Sequence, residues 1–200
     1  NRLLTHEPRL AERVDVYSLE AIGLRLYKAH IGQTKLATQS DIQALITDAS
    51  KAVTGHKFSR HFLMSEWEQV VDAWQLDHWE AFRDVVRLGR KTRLPEAQRA
   101  VLWAIFEKVI AALKNQGMMT SAGVFSALET VVGKKTVPIF DFAVIDEAQD
   151  IGIPHLKSLA ALSGGRPNAL FFAGDLGQRI FQQPYSWKAL GVDVRGRSRT

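Results

Sequence analysis

Two short, uninterrupted apolar runs, each leading into an acid, constrain this chain more than any other feature. Phe142-Ala-Val-Ile145 runs into Asp146, and Ala169-Leu-Phe-Phe-Ala173 runs into Gly174-Asp175, with a helical pattern over Ile153 to Leu162 between them. Runs that do not alternate apolar with polar suit strands of a parallel sheet covered on both faces, and a helix is the connection that a parallel pair needs. The unit spans about 33 residues, so the spacing predicts a strand, helix, strand segment of an α/β fold. Leu3 to Thr5 reads as a third strand of the same sheet. In open parallel sheets, ligands bind beyond the carboxyl ends of the strands, which is where Asp146, Glu147 and Asp175 fall. One carboxylate there can hold Mg²⁺ alongside phosphate oxygens and waters, and its neighbour can orient and deprotonate a water for in-line attack. On that chemistry Asp146 is the metal carboxylate and Glu147 the base.

Between about residues 33 and 130 the pattern is helical throughout. Asp41 to Val53 carries an apolar stripe of Ile42, Leu45, Ile46, Ala49 and Val53, and Gly55 is placed to end it. Ser65 with Glu68, then Asp77 with Glu80, match capping boxes and predict two consecutive helices separated by Gln75-Leu76. Pro95 opens a longer helix in its first turn, with Leu102, Ile105, Phe106, Val109 and Leu113 on one face until Gly117. A last helix is expected from about Thr120 to Glu129. Trp67, Trp74, Trp79 and Trp103 stand at helical spacing among aliphatic residues, and most of them read as core rather than as a base-stacking platform. No two of the six histidines pair at metal-ligand spacing on one helix face.

Composition narrows the function classes. The chain has no cysteine, which removes disulfides, thiolate zinc sites, iron–sulfur clusters and a cysteine nucleophile, and suits a reducing cytoplasm. No apolar run reaches the roughly 18 residues of a membrane span. The net charge of +5 is mild but uneven. Arg83, Arg87, Arg90, Lys91, Arg93 and Arg99 face only Asp84 and Glu96 over that stretch, a basic patch suited to a polyanion.

The acids belong to a longer pattern. Phe142-Ala-Val-Ile-Asp-Glu-Ala-Gln-Asp150, followed 24 residues later by Gly174-Asp-Leu-Gly-Gln-Arg-Ile-Phe181, resembles motifs II and III of superfamily 1 DNA helicases of the UvrD/Rep/PcrA type. Leu3-Leu-Thr-His-Glu-Pro-Arg-Leu-Ala-Glu-Arg-Val14 is similar to motif Ia, with His6-Glu7-Pro8 in place of the usual Phe-Thr-Asn. The tail from Ser186 is similar to the run leading to motif IV. The usual Gly-Trp-Arg after Phe181 is missing, and Trp187 arrives later.

The resemblance implies a fold and a set of roles. The fold is α/β: a partial parallel-sheet, RecA-like motor domain (1A) in two parts, residues 1–32 and 133–200, with a large all-helical 1B-like insertion over 33–132. Asp146 would coordinate Mg²⁺, Glu147 would activate the attacking water, and Gln149, Asp175 and Gln178 would complete the ATP contacts, Gln178 sensing the γ-phosphate. Thr5, His6, Phe181 and Trp187 would meet DNA, joined on grounds of charge by Arg87, Arg90 and Lys91. The implied protein is an ATP-dependent helicase or translocase on single-stranded and junction DNA, in repair or recombination, in a bacterial cytoplasm near the nucleoid.

A phosphate-gripping loop requires Gly-x₄-Gly-Lys-[Ser/Thr], and the lone Gly-Lys, Gly133-Lys134, lacks that frame. The chain is therefore expected to be an internal section of a longer motor, with the loop upstream and the 2A and 2B domains downstream, and to be inactive alone. Two other classes compete. One is a non-catalytic DNA-binding or protein-interaction module derived from a helicase, which would not respond to loss of Glu147. The other is a metal-dependent phosphohydrolase using Asp146 and Asp175, which leaves Gln149 and Gln178 without a task.

Overall fold

The computed structural model describes residues 12–85, 94–133, 138–164 and 166–174. Within them the fold is mixed α/β, mostly helical, with two small parallel sheets. The first helix, α1 (Leu19–His30), starts at Ser18, whose hydroxyl accepts from the Ala21 amide. An extended pair, β1 (Lys35–Leu36), follows. Thr38 and Asp41 then close a reciprocal capping box, the Asp41 amide donating to Thr38 Oγ1 at 3.1 Å and the Thr38 amide to Asp41 Oδ2 at 2.8 Å. That box sets the start of α2 (Gln39–Ala52), whose predicted stripe is buried at Ile42, Ile46 and Ala49.

The expected cap at Ser65 is corrected by the structure. The helix α3 (Arg60–Glu66) starts six residues earlier, with Ser59 as its cap, and Ser65 lies inside it. A π-helical turn, Trp67–Val71, widens the helix, so Trp67, Val70 and Val71 all bury, and a short α4 (Asp72–Trp74) closes it. Asp77 is likewise not a cap: it bonds His78 Nδ1 at 2.6 Å, and α5 (Trp79–Asp84) begins without a side-chain cap. The long α6 (Glu96–Asn115) takes Pro95 at its cap position rather than in its first turn, and it buries all five residues predicted for its face. Arg99 on α6 donates to Arg83 O and to Leu94 O (3.0 Å), drawing together the two chain segments on either side of residues 86–93.

The helical middle is not all-helical. After Gly117, whose φ of +62° suits a residue without a Cβ, β2 (Met118–Met119) runs parallel to β1, pairing Lys35 with Met118 and Leu36 with Met119. Ala37 N donates to Met119 O at 2.9 Å. Entry and exit of the 37–117 excursion are therefore side by side. Such a pairing between residues far apart leaves no periodic trace in either segment. One core cluster lies within this excursion, with Phe82, Leu102, Ile105 and Phe106 fully buried.

A second cluster joins three helices. α7 (Ser121–Val132) is capped by Thr120 and contributes Val124, Phe125, Leu128 and Val132, packed with Leu26 of α1 and Leu162 of α8 (Ile153–Leu162). Gly23 lets α1 close on α7: a Cβ there would meet the Phe125 ring at 2.7 Å. α8 connects β3 (Ala143–Ile145) to β4 (Leu170–Phe172), which pair in parallel with Val144 opposite Phe171. This is the predicted strand, helix, strand unit, but the expectation of cover on both faces is corrected among the described residues. Phe142, Val144 and Phe171 are 76%, 74% and 64% exposed on one side, while Leu156 and Leu159 of α8 bury elsewhere in the layer. A run of apolar residues fits a one-sided sheet as well as a two-sided one, so periodicity could not separate them.

Candidate active site

The acidic pair leaves the carboxyl end of β3 as the sequence placed it. Asp146 and Glu147 are both exposed. Asp146 Oδ1 accepts the Glu147 amide at 3.0 Å, folding the carboxylate back over the turn. Glu147 itself sits at φ +50°, ψ +42°, a left-handed conformation that costs a residue with a Cβ roughly 1–2 kcal/mol. Strain of this kind gathers at functional turns when the surroundings enforce it.

The enforcement comes from β4. The Ala173 amide donates to Ile145 O at 2.8 Å, and the fully buried Ala148 donates back to Ala173 O at 2.9 Å, so the acidic turn is clamped on both sides to the end of the neighbouring strand. A 3₁₀ turn, Ala148–Asp150, follows, with the Asp150 amide on Glu147 O at 3.0 Å. At the opposite end of the strands, Arg166 donates to Phe140 O (2.7 Å), Asp141 O (2.9 Å) and Ser163 O (3.2 Å), holding the entry to β3 against the loop before β4. Nothing in the local sequence marks Arg166 for that task.

α8, directly after the turn, is anchored to α7 by a buried polar contact. His155 Nε2 lies 3.0 Å from Ser121 Oγ and its ring packs on Phe125 at 4.6 Å, while Nδ1 has no partner among the described residues. Burial pushes the His155 pKa down to about 4, so the ring is neutral at ordinary pH. One residue earlier, Thr120 Oγ1 donates to Asp72 Oδ1, which also accepts Gln75 Nε2 at 2.8 Å. Burial raises the Asp72 pKa against the lowering effect of those bonds. The amino end of α7 thus ties α4 on one side and α8 on the other through uncharged or hydrogen-bonded groups. Sequence reasoning found none of this, because the partners are 34 and 48 positions apart.

No protein-family model and no curated protein matches this chain. Among the described residues no group of three or more His, Cys, Asp or Glu is arranged to hold a metal ion. Asp146 keeps one carboxylate oxygen clear of the amide bond described for it, and Glu147 follows directly beside it.

The depression lined by Trp74, Gln75, Glu129, Pro154 and Lys157 holds about 60 Å³, far below the several hundred a small-molecule site encloses, and neither acid lines it. Gln149 has a described backbone in the 3₁₀ turn but not a described side chain. Thr5, His6, Arg87, Arg90, Lys91, Asp175, Gln178, Phe181 and Trp187 lie outside the described residues, as does the strand expected at Leu3 to Thr5. No described helix is long and apolar enough to cross a membrane.

Proposed function

We propose that this chain is a section of a superfamily 1 DNA helicase of the UvrD/Rep/PcrA type, from a motor that uses Mg-ATP hydrolysis to move along single-stranded DNA in repair or recombination. The observation that carries the reading is the acidic turn: Asp146-Glu147 at the carboxyl end of a parallel strand, with Glu147 held left-handed and clamped to the adjacent strand end. The resemblance of residues 142–150 and 174–181 to motifs II and III supports it.

In this reading Asp146 would hold Mg²⁺, which would supply charge stabilisation to the transferring phosphoryl group. Glu147 would accept the proton of the attacking water, from a backbone position that the turn holds fixed. Gln178 would sense the γ-phosphate, Asp175 would support its loop, and Phe181 would stack on a base.

The test is phosphate release with and without single-stranded DNA, in a polypeptide that carries this chain together with a phosphate-gripping loop. DNA-stimulated turnover lost on Asp146→Asn supports the reading. Equal turnover in the variant, or phosphatase activity from these 200 residues alone, contradicts it.

A further inference from the structure

The corner joining α2 to α3 is built more firmly than a plain connection requires. His56 is its latch. The Phe58 amide donates to His56 Nδ1 at 3.2 Å, which makes that nitrogen an acceptor and leaves Nε2–H to donate to Ser50 O at 3.1 Å. The ring stacks on Phe58 at 5.2 Å, and Phe58 on Phe62 at 5.4 Å, both packed on the helical core. Gly55, at φ +84°, lets the chain reverse in open space. Arg60 Nη2 donates to Gln43 Oε1 at 2.7 Å, so its guanidinium is laid against α2.

This rigid corner displays positive charge. From residue 49 to residue 65 there is no acid, and Lys51, Lys57, Arg60 and His61 are exposed. Asp48, at the edge, lies 3.9 Å from Lys51, but both side chains are about three-quarters exposed, and a solvated pair of that kind is weak. Glu66, at the other edge, is buried. The exposed residues between the cations are Ala52, Thr54, Gly55 and Ser59, all small, while the aromatic rings turn inward.

We propose that this corner is a contact for the sugar-phosphate backbone of DNA, separate from the acidic turn. A protein partner would call for an apolar anchor, and the corner shows none. Phosphate oxygens are met by Lys and Arg and by hydroxyls, the groups displayed here, and such contacts position DNA without reading its sequence. The surface therefore holds DNA of any sequence.

Binding of this chain to short labelled duplex and single-stranded DNA, measured by fluorescence anisotropy over a range of salt without nucleotide, is the test. Removing all three cations (Lys51→Ala, Lys57→Ala, Arg60→Ala) should weaken binding roughly tenfold or more at low salt and lower the salt slope by about 2 to 3. A second triple variant, Lys28→Ala, Lys108→Ala, Lys114→Ala, removes the same charge from exposed sites elsewhere and should have a much smaller effect. Equal losses in the two triples, no DNA binding by the wild-type chain, or equally tight binding to poly-glutamate would each overturn the proposal. All six positions are exposed, and circular dichroism verifies that the variants are folded. Because no nucleotide is involved, the result is independent of the role of Glu147.

Discussion

The helical excursion between β1 and β2 and the β3–β4 sheet solve the burial problem in opposite ways. The excursion closes on itself: its ends meet in the β1–β2 pair, and Phe82, Leu102, Ile105 and Phe106 are fully buried within it. The sheet leaves Phe142, Val144 and Phe171 exposed on one side, and spends its hydrogen bonds on fixing a strained acidic turn. Stability is therefore concentrated in the first region and candidate chemistry in the second, so substitutions should separate the two.

The largest effect is expected in the excursion. Phe106→Ala should cost about 3–5 kcal/mol, through lost burial and the cavity left between Trp67 and Phe82. A loss below about 1 kcal/mol in urea denaturation would break the contrast.

Next comes the α7–α8 joint. Unfolded His155 takes up a proton near pH 6.5, whereas the folded pKa is about 4, so the unfolded state binds more protons between those values. Stability should be level above about pH 6.5, fall on acidification, and level off again below about pH 4, a loss of roughly 3 kcal/mol. Asp72 acts in the opposite sense: its raised pKa returns part of the loss as it protonates in the folded state. His155→Gln should flatten the fall, and an unchanged pH profile would remove the histidine from the account.

Smaller effects belong to the sheet. Glu147→Gly should stabilise the chain by about 1 kcal/mol by relieving the left-handed conformation, although it removes the proposed base. A destabilised variant would mean that the Glu147 side chain supports the turn. Phe171→Thr, on the exposed face, should change stability by less than about 0.5 kcal/mol. A large loss there would mean that the face is covered.

How much of this was legible follows from what each feature depends on. α8 and the buried faces of α2 and α6 were readable because helical periodicity repeats over many residues. The pattern misleads at Ser65 and Asp77 because four residues of that kind also arise inside or beside a helix, whereas the cap that forms is the Thr38–Asp41 box. The β1–β2 pair, the clasp of Arg166 and the bonds of His155 and Asp72 join distant positions and carry no local signature. At the site, the strand-end placement of Asp146 and Glu147 was readable from the apolar run before them. The left-handed Glu147 was not, since nothing about a glutamate announces that geometry.

The most direct test of the central claim separates binding from chemistry in Glu147→Gln, in a polypeptide that carries the phosphate-gripping loop. The expected result is Mg-ATP affinity close to wild type with DNA-stimulated turnover reduced by about 10²-fold or more, as for loss of a general base. Turnover within a few-fold of wild type would contradict it, and the acidic turn would then need another explanation.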